Sequence, residues 1–95
     1  MAISKIKDKG LAELFHSGRS KRIGPQFRQS CLDILDHLNA AASQKDCAGV
    51  RDFHKLSGDR AGQYAMHVNA NFVVTFRWDE TGGIEVLWFG DYHRR

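Results

Sequence analysis

Apolar residues recur every three or four positions before residue 43 and every second position after residue 62, so helices are expected first and strands afterwards. Leu11, Leu14 and Phe15 form a short stripe that Asp8 is placed to cap and Gly18 to end. Phe27, Cys31, Ile34, Leu35, Leu38 and Ala42 form a longer stripe, with Pro25 suited to the first turn and Arg28, Gln29, Asp33, Asp36 and Asn39 on other faces. This is the expected main core helix, and Cys31 is most simply one of its packed residues. Ile3-Ser4-Lys5-Ile6 leaves strand and helix open, and Ser43 to Gly49 reads as a helical turn or loop.

The stretch from Phe53 to Trp78 carries most of the information. Gly58 and Gly62 bracket Asp59-Arg60-Ala61 in a tight loop. Tyr64, Met66 and Val68 alternate with Gln63, Ala65, His67 and Asn69; Asn69-Ala70-Asn71 supplies a turn; Phe72, Val74, Phe76 and Trp78 then alternate with Val73, Thr75 and Arg77. This predicts a hairpin. After a turn at Asp79 to Gly83, Ile84 to Phe89 predicts a third strand, with Ile84, Val86 and Trp88 on one face and Glu85, Leu87 and Phe89 on the other. The expected class is α+β, with N-terminal helices packed on one face of a small antiparallel sheet, in which Phe27, Leu35 and Leu38 meet Tyr64, Met66, Val68, Phe72, Val74 and Phe76.

Composition narrows the setting. Ninety-five residues with 42% hydrophobic content fit one domain, 1–95. A net charge of +3 suits a nucleic-acid or acidic-protein partner but fits many ordinary soluble proteins too. Cys31 and Cys47 show no CxxC spacing, the N-terminal residues lack the apolar core of a secretory signal, and no apolar run is long enough for a membrane helix. A soluble protein of the reducing cytoplasm is expected. No cofactor is expected, and no metal, since a zinc site built from the cysteines and histidines would lack closely spaced ligand pairs.

Leu56-Ser57-Gly58-Asp59-Arg60-Ala61-Gly62, the spacing of Val68-Asn69-Ala70-Asn71-Phe72 and Thr75-Phe76, the opening helix with Leu14-Phe15, and Asp91-Tyr92-His93 together resemble the HigB-type toxins of bacterial toxin–antitoxin pairs, within the RelE-like superfamily. The resemblance spans nearly the whole chain. It implies an endoribonuclease that cuts messenger RNA during translation on the ribosome. It also implies a helix-turn-helix antitoxin that inhibits the toxin and, through operator DNA, represses the shared operon.

Metal-independent cleavage of this kind uses the ribose 2′-hydroxyl as nucleophile, so it needs a base, cations for the crowded phosphate, and an acid for the departing 5′-oxygen. His54, Asp91 and His93 are candidate bases and acids, and the family motifs place functional residues there and at Tyr92, which could stack on a base or orient phosphate. Lys55, Arg60 and Arg77 are candidate RNA-binding cations; Arg60, in its glycine-bracketed loop, has a structural alternative. His16, His37 and His67 receive no role, and Phe72, Phe76, Trp78 and Trp88 read as core.

Three positions depart from the family pattern. Val73 stands where arginine is usual, Ser57 where lysine is frequent, and Asn69 where a basic residue is frequent. Alternation assigns Val73 to the polar side of its strand, so a cation would be missing beside the phosphate. Two readings stay open: a ribosome-dependent mRNA endonuclease, or a catalytically weak relative that acts mainly by binding its antitoxin.

Overall fold

The computed structural model describes residues 2–92. In chain order they form β1 (Ile3–Ile6), α1 (Lys9–Ser17), α2 (Pro25–Ala40), β2 (His54–Lys55), β3 (Tyr64–His67), β4 (Phe72–Trp78) and β5 (Ile84–Asp91), with 3-10 turns at Gln44–Cys47 and Gly58–Arg60. The α+β architecture is the expected one. Its sheet has the order β1-β5-β4-β3-β2. Strands β3, β4 and β5 pair antiparallel as expected; the short β2, not foreseen in the sequence, pairs antiparallel with β3, and β1 adds a parallel edge along β5. Ile3–Ile6 is therefore strand, the sequence having left that open.

Local chemistry sets the helix limits. One carboxylate oxygen of Asp8 accepts the Leu11 N–H at 3.0 Å and so caps α1; Gly18 ends the helix in the left-handed region at φ 76°. The other Asp8 oxygen accepts the Phe89 N–H at 3.0 Å, so the same side chain fastens α1 to β5. Helix α2 starts at Pro25 but stops at Ala40, earlier than the apolar stripe through Ala42 suggested. There the Asp46 carboxylate takes the N–H groups of Ala42 and Ser43 at 2.7 and 3.2 Å, which favours the following 3-10 turn over another turn of helix.

The core lies between the helices and one face of the sheet. Leu11 and Leu14 of α1 and Cys31, Ile34, Leu35 and Leu38 of α2 pack on Met66, Val74, Phe76, Ile84 and Val86, all fully buried. Each large aliphatic side chain so buried contributes about 1.5–3 kcal/mol. Phe27 closes one margin, with its ring 4.5 Å from Phe72 and 5.5 Å from Phe89.

Strand β5 departs from simple alternation. Thr75 pairs with Trp88 and Phe76 with Val86, so Leu87 is the extra residue of a β-bulge. Beyond it the faces exchange. Phe89 packs in the helix-side core, not opposite it, and Trp88 turns to the open face, where the regular pattern had placed it with Ile84 and Val86 in the core.

That open face carries its own small apolar cluster of Leu56, Ala65 and Val73, with Trp88 and Tyr92 packed against it. Val73 is fully buried there. The expectation that position 73 lies on a polar side is thus corrected: the sheet has two apolar faces at this point, and Val73 belongs to the second.

Candidate active site

The open face gathers its polar groups at the β2 end of the sheet. Arg51 and Asp52 both take left-handed backbone, φ 46° and 55°, and this turn delivers the chain into β2. Register then aligns His54 with Ala65 and His67 with Val73, so both imidazoles project from the face that holds Leu56 and Val73. Tyr92 joins them from just past β5, where its N–H donates to the Asn71 carbonyl at 2.7 Å. Ring centroids lie 5.5 Å apart for His54 and His67, 5.8 Å for His54 and Tyr92 in an edge-on contact, and 5.9 Å for His67 and Tyr92.

Hydrogen bonds fix the tautomers. His54 Nδ1 lies 2.7 Å from the Asp52 carbonyl oxygen and His67 Nδ1 lies 2.9 Å from that of Asn69. A carbonyl only accepts, so each Nδ1 donates, and in the neutral rings each Nε2 keeps the lone pair. His67 Nε2 also approaches Asp52 Oδ2 at 3.4 Å.

Beside the imidazoles, Arg60 ends the Gly58–Arg60 turn with its guanidinium carbon 4.7 Å from the centroid of the Trp88 ring. Gly58 and Gly62, at φ 62° and 90°, allow that turn to be tight. Leu56, Ser57, Asp59, Arg60 and Tyr92 line a small cavity next to it. A broader, basic groove lies elsewhere, between α1 and the loop after it, and is lined by Lys9, His16, Arg19, Lys21, Arg22 and Arg28, with Arg22 paired to Glu13 at 3.4 Å.

The residues named from sequence divide accordingly. His54, Tyr92 and Arg60 share the open face. Lys55 is exposed and in register with Tyr64, and Asp91 is in register with Phe72, so alternation assigns both to the helix side of the sheet. Arg77 is on the open face but bonded to Glu85, Nε to Oε1 at 2.6 Å, a contact that lowers the Glu85 pKa below the usual carboxylate range. His93 lies outside the described residues. Cys31 and Cys47 are buried in the core, and burial pushes both thiols up, Cys31 to about 12.

His67 is the residue that sequence reasoning passed over. Its signal was present: it alternates with Met66 onto the face of Ala65, and across the hairpin it meets Val73, the position where the family pattern has arginine. Trp88 was missed as a site-face residue because only the bulge turns it there.

Comparison with known proteins bears on the family and the fold. A family model described as the RelE-like toxin of the type II toxin–antitoxin system HigB matches residues 4–93. A Proteus vulgaris protein named Endoribonuclease HigB is 30% identical over 92 residues, covering 96% of this chain and 99% of that protein. Among solved structures, a YoeB/ParE toxin from Agrobacterium tumefaciens superposes with a TM-score of 0.65 at 16% identity, covering 94% of this chain and 98% of that one. A chain of the YoeB-YefM complex from Staphylococcus aureus gives 0.64 at 13% identity, covering 98% and 99%. The two structures bear on the fold; the match over residues 4–93 and the full-length relative bear on descent, and by them the chain belongs to the HigB-like toxins, the RelE-like toxins of type II toxin–antitoxin systems.

Proposed function

We propose that this protein is an mRNA endoribonuclease that acts on the translating ribosome in the cytoplasm, and that a helix-turn-helix antitoxin neutralises it and binds their operator DNA. The observation that carries the reading is the meeting of His54 and Tyr92, edge to face, on an open sheet surface beside Arg60. With Nδ1 held by the Asp52 carbonyl, His54 presents a basic Nε2 suited to take the proton of a ribose 2′-hydroxyl. Attack on the adjacent phosphate then breaks the bond to the 5′-oxygen, which takes a proton from a general acid or from water and leaves as the 5′-hydroxyl, and a 2′,3′-cyclic phosphate remains. Tyr92 offers a ring for a base to stack on and a hydroxyl for the phosphate. Arg60 supplies positive charge, while His93 and Asp91 remain proposed participants from the terminal motif, and Lys55 a proposed contact to RNA outside the open face. Cleavage of this type proceeds without a metal ion.

One observation favours a slow enzyme. Val73 is buried where the family pattern has arginine, and Arg77 is bonded to Glu85, so two positions that could face phosphate with a cation do not. Its transition state is short of charge stabilisation worth about 3–4 kcal/mol in comparable sites.

The test is induced expression of the chain alone, with primer extension on cellular mRNA, for the parent, His54→Ala and Tyr92→Ala. Growth arrest with discrete cuts that both variants lose supports the nuclease. Cuts that persist in both variants place the chemistry elsewhere, and stable antitoxin binding without cuts leaves the binding-partner reading.

A further inference from the structure

The cysteines and histidines offer no closely spaced ligand pair in sequence, yet β2–β3 pairing and the turn before β2 bring Asp52, His54 and His67 together. One ligand atom from each lies within 4.8 Å of the others. We propose that these three side chains form a binding site for a zinc-class divalent cation, and that the cation acts as an inhibitor of the toxin.

Three observations carry the site. The first is the tautomers: each histidine donates Nδ1–H to a backbone carbonyl, at 2.7 and 2.9 Å, which is how metal-ligating histidines are held so that the opposite nitrogen points its lone pair at the ion. The second is spacing. Bonds of about 2.1 Å at a tetrahedral centre place two ligand atoms about 3.4 Å apart, and His67 Nε2 stands 3.4 Å from Asp52 Oδ2. No separation exceeds 4.8 Å, so closing the third ligand needs a movement of about 1.5 Å at most. The third is backbone: Arg51 and Asp52 both hold positive φ without being glycine, in the turn that carries the Asp52 carboxylate to 3.4 Å from His67 Nε2.

Donor chemistry selects the ion. Two imidazole nitrogens and one carboxylate suit Zn²⁺ and its neighbours, whereas Mg²⁺ prefers a shell of oxygens. Three protein ligands leave a fourth position open, and Asp52 is largely exposed, so the ion has access from solvent. Cys31 and Cys47 are buried in the core and do not compete. The inhibitory half rests on the proposed nuclease reading: an ion on His54 Nε2 takes the lone pair that would accept the 2′-hydroxyl proton. The metal-binding half does not depend on it.

The test uses the full chain, stripped of metal and free of RNA, titrated with ZnCl₂ or MgCl₂ by calorimetry and by competition with a chromophoric chelator. Parallel titrations use His67→Gln, Asp52→Asn and His54→Gln, with circular dichroism and melting temperature to verify folding. The expected result is one Zn²⁺ per chain, little Mg²⁺ binding, and affinity at least about tenfold weaker in each folded variant. No saturable Zn²⁺ binding by the parent, or equal binding by all three folded variants, overturns the site. Each protein's cleavage is then measured with and without Zn²⁺ relative to its own metal-free rate. Inhibition of the parent that Asp52→Asn reduces supports the regulatory half; parent cleavage insensitive to saturating Zn²⁺ overturns that half alone. Loss of the nuclease reading itself would appear as absent cleavage in both conditions with metal binding intact.

Discussion

The indole of Trp88 occupies the space that a side chain at Gly90 would need: a Cβ built there meets three atoms of the ring at less than contact distance. The two residues are neighbours on the open face of β5, and Arg60 rests on the other participant of the pair, the same ring. Gly90→Ala is expected to push Trp88 from its seat, cost about 1–3 kcal/mol, and displace Arg60. Tryptophan fluorescence should shift to the red and mRNA cleavage should fall. An unchanged spectrum together with full cleavage would show that the ring has somewhere else to go.

Val73→Arg looks from the sequence like the restoration of a family cation. The structure predicts the opposite of a gain. Val73 is fully buried with Leu56, Ala65, Trp88 and Tyr92, so an arginine must either carry an unpaired charge into that cluster or force it open. The expected outcome is a loss of about 3 kcal/mol or more, seen in chemical denaturation, with reduced cleavage. A melting temperature equal to the parent's, with faster cleavage, would refute it.

Arg77 is half exposed and committed to Glu85. Its removal should therefore change mRNA cleavage by no more than about threefold, the scale of a screened surface charge, while lowering the melting temperature because Glu85 loses its donor. Arg77→Gln, assayed for both properties, separates a structural cation from an RNA-binding one. A tenfold loss of cleavage with unchanged melting would return Arg77 to the site.

Asp79 ties the turn before β5 to β1. The Ser4 hydroxyl, donating at 2.6 Å, and the Thr81 hydroxyl hold its pKa down to about 2. The folded pKa is below that of the unfolded chain, so the stabilisation is complete above the unfolded value near pH 4 and disappears as pH falls towards 2. Melting curves over that range should fall with acidity, and Asp79→Asn or Ser4→Ala should fall less steeply. Equal slopes in parent and variants would remove this turn from the acid response.

Cys31 is buried in the core with its thiol at about 12, and Cys47 is buried and raised too. The thiolate is the reactive form, so both should resist a thiol reagent at pH 8 in the folded protein and react at once in denaturant. Rapid native labelling of either would show that the core opens.

Much of the fold was legible because each local signal agreed with the tertiary result. Asp8 and Gly18 bound α1, Pro25 opens α2, and Asn69 caps the hairpin turn by accepting the N–H groups of Asn71 and Phe72 at 2.8 Å. What alternation misreads is β5. A bulge at Leu87 depends on how β5 meets β4, which no window of its own sequence contains, and every facing after it is inverted. The short β2 escaped for a similar reason, since two residues show no period and the strand exists through its pairing with β3. The site was half legible. His54 and Tyr92, both named from the sequence, meet on the open face, whereas His67 and Asp52 become partners through a left-handed turn that the residue types Arg51 and Asp52 do not announce.

Strand β5 is the last described strand to be synthesised, yet it lies inside the sheet, between β4 and the first strand, β1. Until residues 84–91 are available, β1 has no partner, Phe89 is missing from the core, and Tyr92 cannot reach His54. The contact of Tyr92 with His54 and the joining of β1 to the β3–β4 hairpin thus both wait on the pairing of one strand, so β5 holds the open face and the first strand in a single cooperative unit.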